Sequence, residues 1–366
     1  MFAAHAAPAE QGLSQLVSGR SAALFAVLAG VSIALLSGGR SPQNRSWAIS
    51  AARIATRAIL LFPLGLALTS MQVPARVILA FYAVLFLLSL PLLRLRAPAL
   101  GVLAAFTAIA GPLASFWIRQ NMNSQVTELG VTPSLADMTS SNGLGTAFQA
   151  IFLTGAYPVL TWLPFLLAGM AIGRLDLRTT SVRAWLAGAG AALGLLGYGV
   201  SWLALHAFGG LERITAAFGD SLPPEMVETI TSMSGSGISS TVDPMMLFVS
   251  APHTGTPFEV VGSGGCAVAV IGGCLLISDR IRVLVTPLAS VGALALTAYV
   301  GHLVALWIFG SENLASTISA QPYLPWFVLV LSAVIVATLW RFAIGRGPLE
   351  WILHRTSSGV ASLVQR

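Results

Sequence analysis

Apolar residues fall along this chain in runs separated by short polar breaks. Each run is roughly 20 residues, the length an α-helix needs to cross the hydrocarbon core of a membrane. Nine runs predict full spans, at 20–38, 58–72, 75–93, 98–117, 148–173, 184–208, 256–277, 284–309 and 324–345. An apolar stretch over Met1–Pro8 is too short to cross and runs straight into polar sequence, so it reads as the end of a first helix whose beginning is expected upstream. The pattern predicts an all-α fold: a polytopic transmembrane helix bundle of nine full spans plus a truncated first helix, one integral membrane domain over 1–366. Two long polar connections, 118–147 and 209–255, interrupt it.

Composition fits that picture. Hydrophobic residues make up 56% of the 366 positions and charged residues 9%, against about 25% charged in soluble chains. The net charge of +6 rests on 19 basic residues, all of them Arg. Arg40, Arg45, Arg53, Arg57, Arg94, Arg96, Arg174, Arg178, Arg183, Arg280, Arg282, Arg341, Arg346, Arg355 and Arg366 flank one set of breaks, and only Arg20, Arg76, Arg119 and Arg213 flank the alternating set. That asymmetry makes the Arg-rich side cytoplasmic, with the C-terminus inside and both long loops extracytoplasmic. Most acids, Glu10, Glu128, Asp137, Glu212, Asp220, Glu225, Glu228, Asp243, Glu259 and Glu312, fall on the outer face. Topology explains the basic clusters better than nucleic acid does. They keep two further readings, contact with anionic lipid and binding of a phosphorylated cofactor. Cys266 and Cys274 lie eight apart in one run, a spacing without metal-ligand logic, and no Walker, Rossmann or zinc pattern occurs. No metal is expected.

Polar groups in or near a membrane are costly and become functional candidates. His5, His206, His253 and His302 lie in the outer half or within a span, and His354 in the cytoplasmic tail. His253 sits in Ala251-Pro-His-Thr-Gly-Thr-Pro-Phe-Glu259, a rigid turn at a helix mouth with a carboxylate behind it, which suits acid–base work. His302 lies near the middle of the 284–309 run, with Tyr299 on the same helical face. Arg20, between Gly19 and Ser21 at the start of a run, suits pairing with a carboxylate or a phosphate.

Five segments together resemble the heparan-α-glucosaminide N-acetyltransferase-like family of transmembrane acyltransferases, in its bacterial branch. They are Gly19–Ile33, Tyr157–Arg174, Pro252–Ser263, Ala298-Tyr-Val-Gly-His302 and Gly347-Pro-Leu-Glu-Trp351. The resemblance implies ten spans in the complete architecture. It also implies transfer of an acetyl or other short acyl group from cytoplasmic acyl-CoA to a sugar or lipid-linked glycan of the cell envelope. His5 occupies the place of the family's catalytic histidine before the second helix, and His302 matches the histidine of the Tyr-Val-Gly-His segment. The Asp and Arg-Gly pair that open the family's first helix are not found here. The expected catalytic residues are His5, His302 and His253, with Arg20, Glu259 and Tyr299 binding substrate. Acetyl-CoA or another acyl-CoA is the expected co-substrate. Membrane lipids and the envelope acceptor are the expected partners, with a homodimer as one oligomeric option, in a bacterial inner membrane. His5 would act as general base or as an acylated nucleophile. A proton-coupled small-molecule transporter is the alternative, and a non-catalytic envelope scaffold a third class.

Overall fold

The computed structural model describes residues 2–7, 16–122 and 129–364; Met1, Pro8, Glu10, Glu128 and Arg366 lie outside the described residues. Every regular element among the described residues is helical. Five helices are long and apolar enough to cross a membrane, or up to seven if each of two bent pairs is one span. They are α3 (Trp47–Ser70), α5 (Ala97–Asn121), α8 (Thr180–Trp202, extended by a π turn to Ala207), α11 (Pro257–Ser278) and α15 (Leu324–Ala343). The bent pairs join α6 (Gly143–Gln149, extended to Thr154) to α7 (Val159–Gly173) and α12 (Arg282–Ala293) to α13 (Ala295–Phe309). The predicted runs at 20–38 and 75–93 are shorter apolar helices, α2 (Arg20–Leu36) and α4 (Leu79–Ser89). Short helices complete the set: α1 (Phe2–Ala6), α9 (Gly210–Phe218), α10 (Pro224–Ser232), α14 (Ser311–Ala320) and α16 (Pro348–Leu363).

Three predicted spans are corrected. The run read as 58–72 begins at Trp47, where the Ser46 hydroxyl caps the Ile49 amide; Arg53 and Arg57, read as loop residues, therefore lie on the helix. The run 148–173 is bent by 56° between Thr154 and Val159. Pro158 there has no amide hydrogen and disfavours helical backbone at Tyr157. The run 284–309 is bent by 73° at Leu294, whose backbone leaves the helical region.

Helix α7 is the centre of the bundle. Val159, Thr161, Trp162, Phe165, Leu166, Leu167, Met170 and Ile172 are all buried, as expected of a helix apolar on every face. α2 and α5 pack on it, and α11 pairs with α8 and touches α2. The α2–α7 crossing is closed by glycines. A Cβ at Gly30 would meet the Leu166 carbonyl oxygen at 2.0 Å, and one at Gly169 that of Val27 at 1.9 Å. Such close approach lets van der Waals contact hold helices together where the surrounding lipid is as apolar as they are. α15 lies at the edge, with Ala337 its one buried residue, against α12 and α1.

Candidate functional site

Residues 297 positions apart meet in the histidine pair. α1 packs on α15 and carries His5 to His302 of α13, His5 Nδ1 lying 3.0 Å from His302 Nε2. The rings are nearly parallel, with centroids 5.3 Å apart. His302 Nδ1 lies 3.3 Å from the Ala298 carbonyl oxygen. A carbonyl only accepts, so that nitrogen carries the proton and Nε2 of a neutral His302 is an acceptor. His5 Nδ1 must then donate to it. The chain of donors ends with a lone pair on His5 Nε2, the nitrogen turned away from His302. Phe2 and Tyr299 pack edge-on against His302, with centroids at 4.9 and 5.3 Å. The Tyr299 hydroxyl accepts from the Ile78 amide at 3.3 Å, tying α13 to the start of α4.

His253 belongs to a neighbouring loop. It sits in the loop before α11 with φ +58°, a conformation rare outside glycine and found disproportionately at functional sites. Its carbonyl accepts from the Gly237 amide at 2.7 Å, and that of Pro252 from the Gly235 amide at 2.7 Å. The ring stacks on Trp162 at 6.2 Å and meets Tyr157 edge-on at 5.7 Å. Its Nδ1 is buried with no hydrogen-bond partner among the described residues. Burial, reinforced by Arg76, pushes His253 down to about 4, so it is neutral at pH 7.

Arg20 and Glu259 form a second polar group on the other side of that loop. Arg20 Nε donates to the Tyr198 hydroxyl at 3.0 Å, and its guanidinium lies 4.8 Å over the Tyr198 ring. Glu259 is buried. Its carboxylate accepts from Ser263 Oγ at 3.1 Å and feels the charge of Arg20. Thr256 caps α11 by accepting from the Glu259 amide at 3.1 Å while donating to the Val249 carbonyl. Glu259 thus stands directly behind the His253 loop, and Arg20 bonds Tyr198 of α8. His206 stays apart, stacked on Trp202 and bonded to its carbonyl.

Sequence reasoning missed Glu350. It stood only as one letter of the Gly347–Trp351 segment, yet its carboxylate accepts from the Leu296 amide at 2.7 Å, the Thr297 amide at 3.0 Å and the Thr297 hydroxyl. It thus caps the N-terminus of α13 across the 73° bend and fixes the helix bearing Tyr299 and His302. Gly347 is required for this, because a Cβ there would lie 2.1 Å from Glu350 Oε2. The Gly347-Pro348 helix start was the available signal. Tyr157 and Trp162 were noted only as parts of a helix, and Arg76 only as a topological charge.

Among the described residues no group of three or more His, Cys, Asp or Glu side chains is placed to hold a metal ion. No curated protein and no solved structure matches the chain. A family profile for a protein of unknown function, DUF418, matches residues 239–359. A second, described as heparan-alpha-glucosaminide N-acetyltransferase, catalytic, matches residues 1–202 and so covers His5, Arg20 and the α2–α7 core. A match over more than half the length, on a helical bundle with apolar membrane-crossing helices, places this chain in the heparan-alpha-glucosaminide N-acetyltransferase catalytic family.

Proposed function

We propose that this protein is a membrane-embedded acyltransferase of a bacterial inner membrane. It takes an acetyl or other short acyl group from acyl-CoA on the Arg-rich, cytoplasmic face and delivers it to a sugar or lipid-linked glycan on the opposite face. The observation that carries this reading is the His5–His302 pair. His302, oriented by the Ala298 carbonyl, accepts the Nδ1 proton of His5 and leaves its Nε2 lone pair for chemistry. As general base, His5 Nε2 takes the proton of an acceptor hydroxyl or amine. The acceptor oxygen or nitrogen then bonds to the thioester carbonyl carbon, the C–S bond breaks, and the thiolate takes back the proton. As nucleophile, the same nitrogen bonds to that carbon first, the C–S bond breaks and the thiolate leaves; the acceptor oxygen or nitrogen then takes the acyl group, the N–C bond breaks, and the acceptor's proton passes to the freed imidazole or the thiolate. The unpartnered His253 Nδ1, beside Arg76 and framed by Tyr157 and Trp162, suits a polar group of the acceptor.

The test is transfer of radiolabelled acetyl from acetyl-CoA to glycan acceptors by the purified protein in proteoliposomes. His5→Ala should lower the rate by about 100-fold or more while His5→Ala protein still elutes and melts like wild type. Full activity in His5→Ala would remove His5 from the chemistry. Label retained on the protein without acceptor, and lost in His5→Ala, selects the nucleophilic route. A second reading, proton-coupled transport, is favoured by the two sharply bent helix pairs, a form common where transporters bind ions and substrates. Absence of acyl transfer together with proton-driven solute uptake would select it.

A further inference from the structure

Away from the histidines, two arginines on α3 are buried in part and left without partners among the described residues. Arg53 and Arg57 are one turn apart on the same face. The Nε atom of each is buried with no hydrogen-bond partner among those residues. Among the described residues neither joins an ion pair: Asp176 pairs with Arg40, Asp279 with Arg183 and Arg282, and Asp243 with Arg213. Glu350, the acid of the neighbouring α16, is committed to the α13 amides. Arg57 stands ten residues, about 15 Å, along the helix from Trp47. A cation at that depth without a carboxylate is costly and marks a functional position.

α16 packs along α3 and adds to the positive charge. His354 lies within the field of Arg346, Arg57 and Arg53, and burial together with those three arginines lowers its pKa. Beside Arg346 an open cleft of about 740 Å³ runs between Trp340, Ile344, Trp351 and Ile352, almost wholly apolar. Repelling cations converge where no acid among the described residues pairs with them, next to a groove that would take an acyl chain. Guanidinium groups suit the oxygens of a phosphate, which accepts several donors at once.

We infer that α3 and α16 form a binding site for a phosphate-bearing anion, held by Arg53 and Arg57 with His354 and Arg346 at its edge. The anion is either the headgroup of an anionic phospholipid, with its chain in the adjoining cleft, or the phosphate of a water-soluble ligand. The site stands whether or not the protein transfers acyl groups.

The test uses the full chain in nanodiscs of phosphatidylcholine, with or without phosphatidylglycerol. Native mass spectrometry measures phosphatidylglycerol retained by the protein, and pyrophosphate is titrated into the phosphatidylcholine discs. The wild type should hold one of the two probes. R53Q and R57Q should each weaken that binding by about tenfold, while Arg57→Lys, which keeps the charge, retains it. Retention of phosphatidylglycerol alone identifies a lipid headgroup, and binding of pyrophosphate alone a soluble phosphate. Melting curves show whether the variants are folded. The inference fails if the wild type holds neither probe, or if folded R53Q and R57Q hold it as the wild type does.

Discussion

Arg174 and Arg57 are both arginines pulled out of water in the same bundle, and the structure treats them in opposite ways. Arg174 closes α7 and is buried. Its Nη1 donates to the carbonyls of Ala34 and Gly39 at 2.7 and 2.9 Å. Its Nη2 donates to Ser37 Oγ and the Leu93 carbonyl at 2.8 and 2.6 Å. It ties the end of α2 and the turn after α4 to the core helix, and supplies positive charge where helix carbonyls are left over. Arg57 makes no such bonds. Arg174 leaves only its Nε unpaired among the described residues; a charge bonded through both terminal nitrogens serves the fold, whereas one with no bond among those residues points outside the chain. The same distinction separates His302, bonded through both ring nitrogens, from His253, whose Nδ1 has no partner.

The comparison breaks first at the arginines. Arg174→Met should destabilise the protein by about 3–5 kcal/mol, because buried carbonyls are left unpaired. Arg57→Met should leave thermal stability unchanged or raise it by about 1 kcal/mol, because an uncompensated charge is removed. Equal losses in detergent melting curves would erase the difference drawn between them. Next comes Glu350→Gln. It keeps the shape but weakens three charge-assisted bonds, and should cost about 1–2 kcal/mol and speed amide hydrogen exchange at the start of α13. Exchange that is unchanged there would mean that α13 holds its place without α16.

His253 sharpens the comparison through pH. Its folded value of about 4 lies below the ordinary 6.5, so the unfolded chain takes up the proton first. Stability is complete above pH 6.5 and falls as pH drops toward 4. His253→Asn, which tolerates the same backbone, should flatten that slope in melting curves; an unaltered slope would assign it to another group. The smallest effect belongs to Asp279, an exposed carboxyl held below its usual value by its bond to Arg183. Its contribution is present above about 3.8 and lost as pH falls through the folded value. Asp279→Asn should leave the melting temperature at pH 7 nearly unchanged.

Much of the bundle was legible in the apolar runs, because the hydrocarbon core imposes their length. Errors arose where a charge or a break defied that rule. Arg53 and Arg57 made α3 look as though it began at 58, although Ser46 carried a usable cap signal. Gly155 and Pro158 stood at the first bend but were absorbed into a run apolar enough to hide them. Leu294, at the second bend, carries no local signal at all, because the group that holds the helix start beyond it is Glu350, bonded to the Leu296 amide 54 positions away. In the site, Tyr299 beside His302 followed from helical spacing, and His5 came from resemblance. That Arg20 bonds Tyr198, 178 positions away, could not be read, since no spacing rule links them.

The contact between residues 5 and 302 also has a consequence for how the protein is made. Closing a loop of 297 residues is entropically expensive and slow compared with pairing neighbouring helices. The first histidine leaves the ribosome long before its partner, and α13 is capped only after Glu350 has followed. Early helices such as α2 and α7 can associate during synthesis, but the histidine pair is set only when α16 has arrived. A chain stalled or clipped before that point would be largely assembled yet lack a fixed pair, so the contact is completed only at the end of translation.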